Sequence, residues 1–391
     1  MTAPRVIGLG CRLNIAESER IGAMLGGRED MVVVNSCSVT GGAVRRTRQA
    51  IRRARRAYPD ARLLVTGCAA ETERAELADM AEVDGLIPNA EKLQARHYGA
   101  KPPPPVPAKT GRTRAFVAIQ NGCDHACTFC IIPQGRGASR SLTIPAVLAE
   151  IEQALDRGAA EIVLTGVDVT SWGADLPGTP KMGGLVAAIL AHCPSLSRLR
   201  LSSLDGAEID PLLFELLADE PRMMPHLHLS LQHGHDLILK RMKRRHSRAD
   251  AVDLVARLRA RRPEIAVGAD LIAGFPTESD EHHRANVSLV REIGIVHGHV
   301  FTFSPRHGTP AARMPQVDEA LKKPRSGEVR DAVASTRADW LASLIGRPLN
   351  VLAERGGTGY AENYARVATP GIAPGTIATI TPTSVQDDIL V

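Results

Sequence analysis

Three short apolar runs at 6–9, 31–34 and 63–65 are each followed by a stretch whose apolar residues recur at helical spacing, near 15–25, 43–57 and 71–81. Continuous apolar runs of that length suit strands buried on both faces, and their alternation with helices predicts a small doubly wound α/β domain over 1–100. The pattern stops at KPPPPVPAK (101–109), where four consecutive prolines can continue neither a helix nor a central strand. This predicts a stiff linker over 101–111. Beyond it the rhythm resumes on a larger scale. Strand candidates at 115–120, 161–165, 198–202, 227–231, 267–272 and 299–303 are separated by helical stretches such as 145–157, 249–261 and 280–293. Six βα units predict a partial (β/α)6 TIM-like barrel over 112–342, with its chemistry at the C-terminal ends of the strands. The final segment, 343–391, reads as short strands with glycine-rich turns, which predicts a small all-β domain.

Composition narrows this picture modestly. At 391 residues, with 44% apolar and 23% charged residues, the chain has the make-up of an ordinary globular protein of two or three domains. No stretch approaches the roughly 20 apolar residues that span a bilayer, and the start of the chain lacks a secretory pattern, so a cytoplasmic, non-membrane protein is expected. The net charge is only +5, but seven arginines crowd positions 45–56, and 240–248 form a second basic run. The stripe Val44, Thr47, Ile51 and Ala54 buries one face of the helix at 43–57 and leaves most arginines off it. With no acidic residue in the window, Arg45, Arg48, Arg52 and Arg56 are candidates for phosphate-backbone contacts. Aromatics are 3% of residues, so one base held in a deep pocket fits better than a broad stacking platform.

Seven cysteines in a large chain of this class point away from a disulfide framework and towards metal or redox chemistry. Three of them, Cys123, Cys127 and Cys130, lie in QNGCDHACTFCIIPQGRG, just after the first barrel strand. Thiolates at that spacing can converge on three irons of a cubane cluster and leave the fourth iron open to a small molecule. Zinc is the competing metal, with His125 as a possible fourth ligand. Phe129 stands where it can shield such a cluster or simply pack. Cys11, Cys37 and Cys68 are far apart in sequence, yet each closes one of the three N-terminal strand segments, VIGLGC, MVVVNSC and LLVTGC. Strand ends of a parallel sheet share an edge, so three thiols can meet there. The competing reading is three small core residues, which is the reading adopted for Cys193.

The CxxxCxxC spacing, with an aromatic before its last cysteine, resembles the radical S-adenosylmethionine superfamily. GCRLN, NSCSVT and TGC, followed by GCDHACTFCIIPQGRGASRS, LTGVD, HLHLSLQHG and LIAGFPTE, resemble the methylthiotransferases within it. The last segment is similar to the RNA-binding TRAM module. The resemblance implies two [4Fe–4S] clusters, the catalytic one on Cys123, Cys127 and Cys130 and an auxiliary, sulfur-supplying one on Cys11, Cys37 and Cys68. It also implies S-adenosylmethionine as both methyl donor and source of a 5′-deoxyadenosyl radical, and a reducing partner such as flavodoxin or ferredoxin; it leaves the sulfur donor open. At the strand ends, Gly166, Asp168, Ser203, Gln232 and Gly274, with Phe129, are the expected cofactor contacts. Glu278 is a further polar candidate, and Arg306 is expected to approach RNA or close the site. Sub-families act on threonylcarbamoyladenosine or isopentenyladenosine beside a tRNA anticodon, or on a ribosomal-protein aspartate. NSCSVTGGAVRRTRQAIRR and the compact RGASRS resemble the first type most. A non-catalytic iron–sulfur protein that binds RNA and senses redox state is the rival from another class.

Overall fold

The computed structural model describes residues 5–100 and 113–391, so the linker expected at 101–111 lies outside the described residues. The N-terminal unit is a parallel sheet of β1 (Val6–Gly8), β2 (Met31–Ser36), β3 (Arg62–Gly67) and β4 (Gly85–Leu86). Side chains alternate across a strand, and both faces are covered. Val32, Val34, Leu63 and Val65 pack with Ile51 and Ala54 of α2 (Gly41–Ala57), whereas Met31, Val33 and Leu64 pack with Ile21, Met24 and Leu25 of α1 (Arg12–Leu25). The helix begins where Thr40 accepts a hydrogen bond from the Ala43 amide and buries the stripe expected from the sequence. One expectation is corrected. The strands lie in sequence order, β1-β2-β3-β4, with none of the order reversal that defines a doubly wound sheet. The strand ends still share one edge, because all pairings are parallel. The helix expected near 71–81 is two short ones, α3 (Cys68–Thr72) and one at Arg74–Ala78, broken at Glu73.

The central unit holds six parallel strands in two hydrogen-bonded sets. The first is β5 (Arg114–Ala118), β6 (Glu161–Thr165) and β7 (Leu199–Leu201); the second is β8 (His226–Gln232), β9 (Ala266–Ala273) and β10 (Ile295–Thr302). Parallel bridges Leu199–Met223 and Leu204–Leu229 join the sets into one open barrel. Its outer face is apolar: Val267, Ala269 and Leu271 pack in one core with Val255 and Leu258 of the helix Arg248–Arg261 and with Leu289 and Val290 of the helix Asp280–Ile293. The alternate positions, His226, His228, Asp270, His297 and His299, therefore face the lumen.

After the long helix Glu319–Ala342, six short strands form a sheet with antiparallel pairs and one parallel pair, Val367 opposite Leu390. This sheet closes the N-terminal end of the barrel. Glu161, fully buried, receives Arg114 at 3.2 Å and both Arg198 and Arg200 at 2.9 Å. Arg198 and Arg200 also reach the carbonyls of Asn350, Tyr360, Ala361 and Glu362. A buried carboxylate surrounded by charge and hydrogen bonds is tolerated where a lone one is not.

Candidate metal centres

The N-terminal cysteines do meet at one sheet edge. Cys11 precedes the first turn of α1, Cys37 follows β2, and Cys68 opens α3. Gly10, at φ +94°, makes this possible: a Cβ there lies 2.7 Å from that of Cys37. Asn14 ties the turns together by donating to the carbonyls of Leu9 at 2.6 Å and Ser36 at 3.0 Å. Burial pushes the Cys37 thiol above its ordinary pKa, and the neighbouring Cys68 and Cys11 push the same way. Beneath the edge lie two buried cations. Lys92 pairs with Glu17 at 2.5 Å, and Arg136 pairs with Glu17 at 3.0 Å and with Asn14 at 2.5 Å. Positive charge so close favours thiolates as ligands.

The second triad sits on the loop after β5, at the C-terminal end of the barrel. Gly122, at φ +77°, lets this loop fold back; a Cβ there meets the Ala138 carbonyl at 1.9 Å. Each sulfur faces a donor: the His125 amide lies 3.4 Å from Cys123, the Ile132 amide 3.4 Å from Cys130, and the Arg244 guanidinium 3.7 Å from Cys127. Such donors stabilise metal-bound thiolates. As free thiols, Cys123 and Cys130 are pushed up by burial to about 12 and about 11. Among the described residues, neither triad brings its three sulfurs within 4.8 Å of one another. Sulfurs around one zinc, with Zn–S near 2.3 Å, stand about 3.8 Å apart, so both triads are too wide for a single ion and suit a larger cluster. His125 lies within 4.8 Å of Cys123 Sγ and of Asp168, which it meets at 2.6 Å, and its bonds to Asp168 and Glu208 raise its pKa to about 10.

The helix Ile132–Arg136 connects the two triads. Gly135 lies over Cys68, with its Cβ position 3.2 Å from that of the cysteine, and its carbonyl accepts from Asn89 at 2.5 Å. Arg136, at the end of the same helix, reaches Glu17 and Asn14 below the N-terminal triad. Cys130 and Cys68 are close enough to raise the former's pKa.

The other expected site residues fall in several places. Asp168 Oδ2 lies 3.7 Å from Cys123 Sγ and accepts from Ser171 at 2.8 Å. At Gly166 the close approach is made by Gln120, whose carbonyl oxygen and side chain both stand 3.0 Å from the Cβ position. Ser203 donates to Asp270 at 3.3 Å, and Gln232 sits at a break in the β8–β9 register with φ +69°. Phe129 packs edge-on to Phe275, beside Gly274 at φ +74°, where Glu278 accepts the Gly274 amide at 2.9 Å. Arg48 and Arg52 are paired with Glu76 and Glu82, acidic partners outside the window read in the sequence, while Arg45 and Arg56 are exposed. Arg306 is buried and pairs with Glu73, joining the barrel to the N-terminal unit. Sequence reasoning missed Arg244, Arg245, Asp205 and Glu208, which form a salt-bridge cluster beside Cys127 and His125. Their only trace was the basic run at 240–248.

Residues 117–290 match the family model for the radical SAM superfamily, and 5–88 match one described as uncharacterized protein family UPF0004. The chain is 43% identical over 379 residues to the threonylcarbamoyladenosine tRNA methylthiotransferase MtaB of Rickettsia prowazekii, covering 93% of this chain and 90% of that one. It is 32% identical to the Bacillus subtilis protein of the same name, over 93% and 89% of the two chains. Identity is also 32% to the tRNA-2-methylthio-N(6)-dimethylallyladenosine synthase of Cereibacter sphaeroides, over 95% and 93%. Among solved structures, the radical S-adenosylmethionine methyltransferase TsrM of Kitasatospora setae shares the fold, with a TM-score of 0.53, 17% identity, and coverage of 75% of this chain and 68% of that one. High identity along almost the whole length, joined to a radical SAM barrel that carries the cysteine triad, places the chain in the radical S-adenosylmethionine methylthiotransferase family.

Proposed function

We propose that this protein inserts a methylthio group at C2 of N6-threonylcarbamoyladenosine beside a tRNA anticodon. The observation that carries this reading is the apposition of two cysteine triads across the helix Ile132–Arg136, with Cys130 and Cys68 as electrostatic neighbours. When bound, one [4Fe–4S] cluster with S-adenosylmethionine supplies the hydrogen-abstracting radical, and a second supplies the sulfur. Cys123, Cys127 and Cys130 are the ligands of the first, and Cys11, Cys37 and Cys68 those of the second. Asp168, Ser203, Gln232, Gly166, Gly274 and Phe129 form the S-adenosylmethionine site around the barrel mouth. Arg244 steadies the Cys127 sulfur, and the buried Lys92 and Arg136 hold the N-terminal sulfurs as thiolates. Exposed Arg45 and Arg56 contact tRNA phosphates, and the C-terminal β-sheet acts as a TRAM-like RNA-binding module joined to the barrel. The protein works in the cytoplasm with a flavodoxin- or ferredoxin-like reductant; among the described residues no helix is long and apolar enough to cross a membrane.

The threonylcarbamoyl substrate is favoured over the dimethylallyl one by the higher identity to the relative named for it. The test is nucleoside mass spectrometry of tRNA from cells lacking the gene. Loss of methylthio-threonylcarbamoyladenosine, with its unmethylthiolated precursor accumulating, is expected; an unchanged level refutes the assignment. In the reconstituted protein, about eight irons per chain are expected. Cys127→Ala should abolish release of 5′-deoxyadenosine from S-adenosylmethionine, whereas Cys68→Ala should retain it without methylthio product.

A further inference from the structure

We infer that His228, Asp270 and His299 form the subsite that recognises the polar N6 substituent of the substrate adenosine, an inference that rests on the function proposed above. The three side chains come from adjacent strands β8, β9 and β10 and converge on the barrel lumen. Asp270 Oδ1 lies 3.3 Å from His228 Nε2 and 3.1 Å from His299 Nδ1, and Asp270 Oδ2 accepts from Ser203 at 3.3 Å. His228 is 6% exposed, so its Nε2 meets Asp270 away from solvent. His299 is the open member, with 61% of its side chain exposed. The cluster is built rather than incidental. Gly268 leaves room for the His228 ring, since a Cβ there lies 2.4 Å from Nδ1.

Its position suits a substrate. Two residues beyond His228 on the same strand, the Ser230 carbonyl accepts from Arg244 at 2.7 Å; two residues beyond Ser203, Asp205 pairs with Arg244 at 3.0 Å; and Arg244 in turn faces the Cys127 sulfur. Two residues of strand rise about 6.6 Å, so the cluster lies one side-chain layer below the radical centre. On its other side His226 stacks on Tyr364 at 4.8 Å, and the Tyr364 hydroxyl accepts from Arg12, the neighbour of Cys11. The lumen holding the cluster is thus bordered by Arg244, which faces Cys127, and by Tyr364, which Arg12 reaches from the N-terminal unit.

The chemistry selects the ligand. Asp270, held well below the usual carboxylate pKa by the hydrogen bonds of His228 and His299 despite its burial, is an acceptor for N–H and O–H groups. His299, whose Nδ1 faces Asp270, has a second ring nitrogen that accepts or donates according to its tautomer. A threonylcarbamoyl group carries donors and acceptors: ureido N–H groups, a hydroxyl, a carbonyl and a carboxylate. A dimethylallyl group carries none, and would cover the partly exposed Asp270 and the exposed His299 without offering either a hydrogen bond. A site built to hydrogen-bond its substrate rejects an analogue lacking those groups far more strongly than an apolar pocket rejects a polar one.

The experiment is a competition between threonylcarbamoylated and unmodified tRNA of the same sequence, read as the ratio of kcat/KM values by mass spectrometry. Any general damage to fold or cofactor cleavage cancels in that ratio. Asp270→Asn, His299→Leu and Gly268→Ala are each expected to lower the ratio roughly ten- to hundredfold. The last displaces the His228 ring, 2.4 Å from the Cβ position, and also crowds the His297 carbonyl at 3.1 Å. Ratios within twofold of wild type in all three overturn the inference while leaving the proposed function standing. Failure of the wild type to act on threonylcarbamoylated tRNA overturns that function, and this inference with it. One zinc or iron ion beyond the cluster irons, lost in His228→Ala, overturns it in favour of a mononuclear metal site.

Discussion

Arg136 is the residue on which the apposition of the two cysteine triads turns, and replacing it with methionine isolates its contribution. It is 4% exposed and spans from the barrel helix Ile132–Arg136 to Glu17 and Asn14 of the N-terminal unit, at 3.0 Å and 2.5 Å, with Asn121 at 2.8 Å. Breaking a buried ion pair by removing one partner destabilises by about 3–5 kcal/mol. Here Glu17 keeps Lys92 at 2.5 Å, and Asn121 keeps the Gly122 amide at 2.9 Å, so the effect belongs at the lower end, about 3 kcal/mol. At about 1.4 kcal/mol per decade, that raises local opening between the units roughly a hundredfold. Native-state hydrogen exchange at amides of Cys68–Thr72 and Ile132–Arg136 reads it directly, with the strand Ala266–Ala273 as an internal reference. Arg20→Met provides the contrast. It also removes a bridge between the two units, to Glu150 at 3.4 Å, but that pair is 51% and 33% exposed and is worth about 0–1 kcal/mol. A loss of protection below threefold in Arg136→Met, or equal losses in the two variants, refutes the reasoning.

At the opposite end of the barrel, Glu161→Gln leaves three buried guanidinium groups around a neutral amide, and denaturant unfolding should show a loss of about 3–5 kcal/mol; a loss under about 1 kcal/mol contradicts the charge-cage account. Burial alone raises the Glu161 pKa, but Arg200, Arg114 and Arg198 outweigh it and hold the carboxyl below its ordinary value. Its stabilisation is therefore complete above the unfolded pKa of about 4.3 and is lost as pH falls through the folded value, so wild type and Glu161→Gln should converge in stability only well below about pH 4. Gly10→Ala places a Cβ 2.7 Å from that of Cys37 at φ +94°, and should reduce reconstituted iron from about eight towards about four per chain while 5′-deoxyadenosine release persists; full iron loading contradicts it.

The elements that sequence reasoning recovered are those whose signal is local. Continuous apolar runs such as Met31–Ser36 are buried on both faces, and a cysteine closing each run lands at the shared edge whatever the strand order. This is why the N-terminal triad was legible although the doubly wound order was not: register and order depend on crossovers, and the side-chain pattern records only burial. The arginine-rich helix was half legible. Its buried stripe follows from helical spacing, but Arg48 and Arg52 find Glu76 and Glu82 only through the fold. Arg306 with Glu73, 233 positions apart, shows the same limit.

The lumen shows a different limit. HLHLSLQ reads as a strand because polar and apolar residues alternate, and alternation ordinarily means one face in solvent. In a curled sheet the second face is the lumen, and there the polar positions are neither solvated nor covered by a helix. His226, in the first position, is pushed well below its ordinary pKa by burial and stacks on Tyr364, so it is an uncharged wall. His228, two positions on, turns its buried Nε2 to Asp270 on the next strand. The same alternation therefore encodes a structural floor and, one layer nearer the radical centre, a polar cluster suited to a polar substrate. A pattern that a sequence presents as solvent exposure becomes, once six strands close round it, the part of the site that distinguishes one modified adenosine from another.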